Sequence, residues 1–324
     1  MKAIICEKLG MPSDLVFKDV DSLEPESKEV IVSVKACALN FPDTLIIQGK
    51  YQMKPELPFS PGSDISGVVI KVGSNVKKFK VGDPVFGIVP YGGLAEEVRA
   101  HENRVFPKPD KMDYKTAASF MYAYGTSLHA LKDRAQLKEG ETIVILGASG
   151  GVGLAAVELA KNMKARVIAC ASTSEKLELC KNYGADDLIN YNDEDLKLRI
   201  KELTDGKGAD VIYDPVGGAY AEPALRAMAW KGRYLVVGFA AGEIPKIPLN
   251  LALLKGCEIV GVFWGRFTQE NPSGHMENSM QLFNDFNAGK INPHIHKVFA
   301  LEDVPKALDE MMNRKVMGKL IVEI

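Results

Sequence analysis

Eight residues near the middle of the chain, Leu146–Gly153 (LGASGGVG), have the spacing of a loop that cradles phosphate. They follow a short apolar run, Thr142–Leu146 (TIVIL), and open a stretch that is apolar at helical spacing, Gly150–Met163. A glycine pattern by itself can mark only a flexible turn, but strand, glycine turn and helix in that order make a dinucleotide-binding context. Gly150 lets the main chain approach a pyrophosphate, and Gly153 lets the new helix pack closely on the strand. The N–H groups near Gly151 and Val152 then face the anion, with the positive end of the helix dipole behind them. The usual first glycine of the pattern is Ala148 here, beside Gly147.

The end of the next strand bears on which dinucleotide binds. An NAD site carries an acid about 20 positions on, where it accepts from the ribose 2′-hydroxyl. That spacing falls in ACASTSEK (169–176), and the strand end Cys170–Ser172 has no acid. Ser172, Thr173 and Ser174 offer hydroxyls there and Lys176 an ammonium, groups that bind a 2′-phosphate where a carboxylate would repel it. The expected cofactor is therefore NADPH. The other use of Lys176 is as a solvated first-turn residue.

The elements that must position these residues change character along the chain. The first third is strand-rich: Glu29–Asn40 alternates apolar and polar residues, and Asp64–Val72 and Pro84–Pro90 follow between Gly/Pro-rich turns. This reads as a compact, partly closed β domain. Asp43–Ile47 makes a turn or two of helix. Beyond residue 113 strands alternate with helices: helix Asp113–Leu131, strand Arg166–Cys170, helix Glu175–Asn182, strand Asp187–Asn190, helix Glu194–Leu203, strand Asp210–Tyr213, helix Tyr220–Trp230, and strands Tyr234–Val237 and Glu258–Phe263. Such alternation implies right-handed crossovers and a doubly wound parallel sheet. Two amphipathic helices and a closing strand, Lys319–Ile324, end the chain.

Composition narrows the class. The chain has 324 residues, enough for about two domains, and 40 Lys+Arg against 42 Asp+Glu leave a net charge of −2. No basic surface for nucleic acid or membrane is expected at that balance. No apolar run approaches a membrane span, and the stretch Ala3–Cys6 is too short for a signal-peptide core. Five scattered cysteines without a CxxC pair fit a reducing compartment, so a cytoplasmic protein is expected.

Segments along the whole length, among them ALNFPDTLIIQGKY (38–51), PFSPGSDISGVV (58–69), VGDPVFG (81–87), GASGGVGLAAVELAK (147–161), GRYLVVGF (232–239), CEIVGVFWG (257–265) and GKLIVEI (318–324), together resemble the medium-chain dehydrogenase/reductases, and within them the zinc-independent quinone oxidoreductase branch. The resemblance implies an α/β fold. A doubly wound parallel Rossmann sheet over 123–265 is joined to a β-rich, GroES-like catalytic domain of 1–122, completed by 266–324. Zinc divides that superfamily. The metal-dependent arm has a cysteine in the loop matching Leu39–Asp43 and a His-Glu pair after the glycine matching Gly62; here the loop is Leu-Asn-Phe-Pro-Asp and the pair is Ser63-Asp64. Cys37 reads as a buried small hydrophobe, and the five histidines form no ligand pattern. No metal is expected.

Without a metal the substrate must already be polarised, as a quinone or an α,β-unsaturated carbonyl is. Charge then develops on oxygen, to be met by hydrogen-bond donors and a proton source. The resemblance carries the cleft roles to Asn40, Asp43 and Tyr51: Asn40 to hold the nicotinamide ribose or the substrate oxygen through its amide, and Tyr51 as the best proton donor of this stretch. Each also has a structural use: Asn40 as a cap, Asp43 as a helix N-terminal residue, Tyr51 as a loop anchor. Further cofactor contacts carried over are Thr126, Tyr191, Gly238, Phe239, Phe263, Trp264, Gly265 and Lys319. Tyr191 would lie near the 2′-phosphate; Phe263–Gly265 and Lys319 would border the nicotinamide, with strand-end core as the alternative for the two aromatics. An enoyl-thioester reductase and a non-catalytic NADPH-binding protein are the competing functions. The apolar strand Glu258–Phe263, placed at a sheet edge, points to a homodimer.

Overall fold

The computed structural model describes residues Met1–Ile324, which divide into two compact units: Met1–Tyr122 with Pro293–Ile324, and Ala123–Asn292. In the first, Glu29–Leu39 is the middle strand, and most of its residues are buried. It pairs antiparallel with Asp64–Val72 on one side and Lys319–Glu323 on the other, so the two chain ends share one seven-stranded sheet. Pro84–Ile88 and Val105–Pro107 extend that sheet beyond Asp64–Val72, and Glu97–His101 also pairs with the middle strand. The far edge is Ile295–Ala300, parallel to Lys319–Glu323, a strand that local pattern does not announce. This is the β-rich unit expected from both chain ends.

The second unit is a six-stranded, wholly parallel sheet. Its order is Asp187–Asn190, Arg166–Ala171, Thr142–Leu146, Ala209–Asp214, Met228–Val236 and Glu258–Gly261. The order reverses at Thr142–Leu146, the switch point where doubly wound sheets bind dinucleotides. The strand Thr142–Leu146 lies where its apolar run predicts, buried over its last four residues. Glu258–Gly261 is at the sheet edge, as expected.

Three expectations are corrected. Residues 266–292, expected in the chain-end domain, pack with the nucleotide unit. The helix Pro272–Asn287 is tied there by Lys132 Nζ, which donates to Glu277 (2.8 Å) and Asn278 (3.0 Å), and by Asn278 Nδ2, which donates to Asp133 (2.8 Å). The single helix Asp113–Leu131 is two, Tyr114–Ala118 and Met121–Leu128, followed by a π-helical turn His129–Arg134. At the break the Ser119 hydroxyl donates to the Thr116 carbonyl (2.8 Å), the local competition with the helix that serine favours. The helix expected over Tyr220–Trp230 stops at Arg226, because Met228 pairs with Ala209 and opens a strand. No helix is long and apolar enough to cross a membrane.

Candidate active site

Sheet register assembles a polar cluster in the first unit. Ala38 faces Asp64, and Leu39 faces Leu320. The end of the middle strand thus meets the starts of both antiparallel neighbours, and Asn40 comes to lie with Asp64 and Lys319. All three are buried. The Lys319 ammonium donates to Asn40 Oδ1 (2.5 Å) and to Asp64 Oδ2 (3.4 Å). Asn40 Nδ2 makes a long bond to the Ala38 carbonyl (3.4 Å) and also donates to the Asp64 carboxyl, and its side chain caps no helix. The capping falls to Asp43, which accepts from the Asn40 N–H (2.7 Å) and from the Gly62 N–H. Gly62 reaches that carboxylate at φ +87°, and a Cβ there would stand 2.7 Å from Leu94 Cγ. Asp43 therefore has the helix-terminal use, whereas Asn40 does not.

Burial sets the electrostatics. It pushes Asp43 up to about 6 and Asp64 up to about 7, in each case against the pull of the Lys319 charge. Asp64 Oδ1 has no hydrogen-bond partner. The sequence marks Asp64 only as half of a replaced zinc pair; the signal that could have found it is an acid opening an otherwise apolar strand. Tyr51 lies in the loop after the helix Phe41–Ile46, its ring packed on the core of this unit. Its phenol is hydrogen-bonded to Tyr122, a residue the sequence does not single out.

These residues do not suit a metal. A divalent cation beside Asp64 would meet the Lys319 ammonium already paired there. Cys37 is fully buried, and burial holds its thiol well above the usual range. No three His, Cys, Asp or Glu side chains are grouped to hold an ion.

In the second unit the glycines separate by task. At Gly153 a Cβ would stand 2.3 Å from the Gly147 carbonyl oxygen, so close packing of helix on loop excludes any side chain. At Gly150 the backbone is ordinary (φ −78°) and a Cβ would meet nothing of the protein nearer than 3.4 Å. Its missing side chain thus leaves room outside the chain, the cradle a pyrophosphate needs. The first bond of the helix Gly151–Asn162 runs from the Leu154 N–H to the Gly150 carbonyl, which leaves the N–H groups of Gly151 and Val152 at its open end. Ser127 ties this loop down, donating to the Val152 carbonyl (2.8 Å) and lying 3.0 Å from the Tyr213 hydroxyl.

Ser172, Lys176 and Tyr191 converge. Asn190 pairs with Ala171, which puts Tyr191 beside Ser172; Lys176 Nζ reaches Ser172 Oγ (3.3 Å), and Asn192 Nδ2 holds the Ser172 carbonyl (2.9 Å). Tyr191 packs on Tyr220 with ring centroids 4.4 Å apart. The nearby acids are engaged elsewhere, Asp193 by the Asn190 side chain and Glu194 by Arg199. Gly238 and Phe239 follow the strand Met228–Val236. Asp214, not foreseen, orders that region: its carboxylate accepts from the N–H groups of Val216 and Gly217 and from the Tyr234 hydroxyl, while its carbonyl accepts from Val237 and Gly238. Thr126 is buried next to Gly125, against which the Trp264 ring packs. Trp264 is interior and begins a helix instead of ending a strand, whereas Phe263 and Gly265 are exposed. Lys319, expected at the nicotinamide, is turned onto Asn40 and Asp64 in the other unit.

A profile of the alcohol dehydrogenase GroES-like domain matches residues 26–110, and one of the zinc-binding dehydrogenases matches residues 151–284. The chain is 40% identical over 324 residues to a quinone oxidoreductase-like protein 2 homolog of Nematostella vectensis, covering 99% of this chain and 88% of that one. The quinone oxidoreductase of Pseudomonas syringae pv. Tomato DC3000 superposes with a TM-score of 0.94 at 32% identity, covering 100% and 99% of the two chains. The Escherichia coli quinone oxidoreductase complexed with NADPH does so with a TM-score of 0.93 at 28% identity, over 100% of both.

Proposed function

Since the chain belongs to the quinone oxidoreductase branch of the medium-chain dehydrogenase/reductase superfamily, we propose that this oxidoreductase uses NADPH to reduce quinones or α,β-unsaturated carbonyls without a metal. The observation that carries this reading is the Lys319 ammonium on Asn40 Oδ1 and Asp64. It fills with a fixed cation the place where a metal-dependent relative would need ligands. It also fixes which way the Asn40 amide faces: Nδ2 is the donor side, shared between Asp64 and a long bond to the Ala38 carbonyl, and a substrate oxygen would take the place of that long bond. A buried ammonium on the carbonyl side polarises the amide and strengthens that donor as oxyanion charge develops. Tyr51 supplies the proton.

NADPH, when bound, supplies the hydride. The N–H groups of Gly151 and Val152 would hold its pyrophosphate past Gly150, and Ser172 and Lys176 its 2′-phosphate, with Tyr191 alongside; the E. coli relative's complex with NADPH supports the choice of cofactor. Lys176→Ala is expected to weaken NADPH by about 1–3 kcal/mol, the range of a charge-assisted hydrogen bond, and to leave NADH nearly unchanged. Equal losses for the two cofactors, measured by fluorescence titration, would sink this reading of the loop.

The test of the whole proposal is NADPH consumption by chelator-treated protein with 1,4-benzoquinone, 9,10-phenanthrenequinone, simple enones and crotonyl-CoA. Quinones or enones should turn over as well after chelation as before. Loss of turnover restored by zinc would overturn the metal-free chemistry, preference for crotonyl-CoA would favour a thioester reductase, and no turnover at all would leave a dinucleotide-binding protein.

The same unit presents an apolar edge. Leu249, Leu253 and Leu254 are 77%, 80% and 67% exposed beside the edge strand Glu258–Gly261. Free strand edges and apolar patches of this kind call for a partner, and a second copy with its own edge apposed makes a closed, isologous dimer. Light scattering at micromolar concentration should give twice the chain mass of 35.4 kDa. A monomer mass would rule the dimer out.

A further inference from the structure

Tyr51 does not stand alone. Its hydrogen-bond partner Tyr122, the second residue of the helix Met121–Leu128, is partly buried in the same unit as Asn40, Asp43 and Asp64. Two phenols sharing one hydrogen bond must divide the roles, one donating and the other accepting. Here the surroundings decide. Burial raises the Tyr122 hydroxyl well above the ordinary phenol range, and the charges of Tyr51, Asp43 and Asp64 push it the same way. Lys319, bonded to Asp64, is the nearby cation of that cluster. Tyr122 is therefore the phenol of the pair that resists ionisation, and once Tyr51 gives up its proton the Tyr122 hydroxyl is the donor between them.

From this arrangement we infer that Tyr122 is a positioning residue for the proton donor: its O–H, donated to Tyr51 Oη, aims the Tyr51 proton away from the pair and stabilises the phenolate left behind. The inference rests on the reading of Tyr51 as the proton source. In the step concerned, hydride addition to the far carbon of an enone leaves an enolate. The Tyr51 O–H bond breaks, its proton bonds to the enolate, and the negative charge passes to Tyr51 Oη, against the Tyr122 hydroxyl. Water then returns a proton to Tyr51. Tyr122 itself neither gains nor loses a proton over the cycle. A donor already in place at the atom where charge appears costs no reorganisation when the charge arrives.

The experiment compares Tyr122→Phe, Tyr51→Phe and the double variant on a simple enone, after thermal melts have verified that each is folded. Tyr122→Phe keeps the ring and removes only the bond. It is expected to lower kcat by about tenfold to a hundredfold, somewhat less than a donor aimed directly at substrate, with KM unchanged. Quinone turnover, which does not need the Tyr51 proton, should be nearly unchanged. Adding Tyr122→Phe to Tyr51→Phe should change nothing further. If Tyr51→Phe is impaired while Tyr122→Phe retains wild-type kcat, the inference fails and the proton-donor reading stands. If Tyr122→Phe is equally damaging in both backgrounds, its role is packing and the inference also fails. Full activity of Tyr51→Phe would defeat the proton-donor reading, and this inference with it.

Discussion

Tyr51→Phe is expected to lower turnover of enones by about 10²–10⁴-fold, the usual contribution of a positioned general acid, with NADPH affinity nearly unchanged. The substitution keeps the ring that packs on the core of the chain-end unit and removes only the hydroxyl. Quinones should suffer far less, because the hydroquinone anion is stabilised by its own ring and can take protons from water. That split separates chemistry from architecture: a misplaced loop would harm both substrates alike. Steady-state kinetics on one enone and one quinone suffices to read it. Equal activity of variant and wild type on every substrate would remove Tyr51 from the mechanism and leave Asn40 and water as its agents.

Lys319→Met should be the most damaging change to stability, and more so as pH rises. The Lys319–Asp64 pair is buried on both sides, and removing one partner of such a pair costs about 3–5 kcal/mol when the other stays charged. Whether Asp64 stays charged depends on pH. Its folded value, about 7, lies above the ordinary 3.8, so the stability it contributes is complete at acid pH and is lost as pH climbs through 7. Lys319 is what pulls that value down, and without it the folded value rises further and the loss continues to higher pH. Asp43, raised to about 6, is held down by the same ammonium, so in the variant its value also rises and its delayed ionisation adds to the deficit in the same direction. Unfolding measured at pH 6 and pH 9 should therefore show a modest deficit at the first and one approaching the full figure at the second. A deficit that does not grow between them would mean that the pair is not the charged contact described.

The phosphate loop is legible in the residues alone because everything it needs is contiguous. A strand, a glycine turn and a helix follow one another within Thr142–Asn162, and the steric demand at Gly153 is set by Gly147 and Ala148 a few positions away. Ser172 and Lys176 are legible for the same reason, being four apart at a helix start. Local pattern misleads where a distant partner overrides it: at Met228, drawn into a strand by Ala209, and in the helix Pro272–Asn287, held to the nucleotide unit through Asn278 and Asp133. Phe263 and Trp264 read alike as aromatics at a strand end, yet one is 58% exposed and the other is packed on Gly125.

The amino-acid sequence by itself determined the alternation of strands and helices in the parallel nucleotide sheet, the glycine turn after Thr142–Leu146 and the lack of thiolate and imidazole where a zinc site would need them. Each of these follows from residue type and near-neighbour spacing, which backbone geometry converts directly into local structure. Tertiary structure alone decided what Asn40, Tyr51 and Lys319 are able to do. Lys319 is 279 positions from Asn40 and 255 from Asp64, and they meet because strands from opposite ends of the chain pair in one register. Shifting either strand by one residue would turn its side chains to the other face and dissolve the cluster. The charges follow from the same event. A carboxyl group has no raised value until folding strips its water away, and a phenol does not resist ionisation more than in water until burial and neighbouring acids act on it.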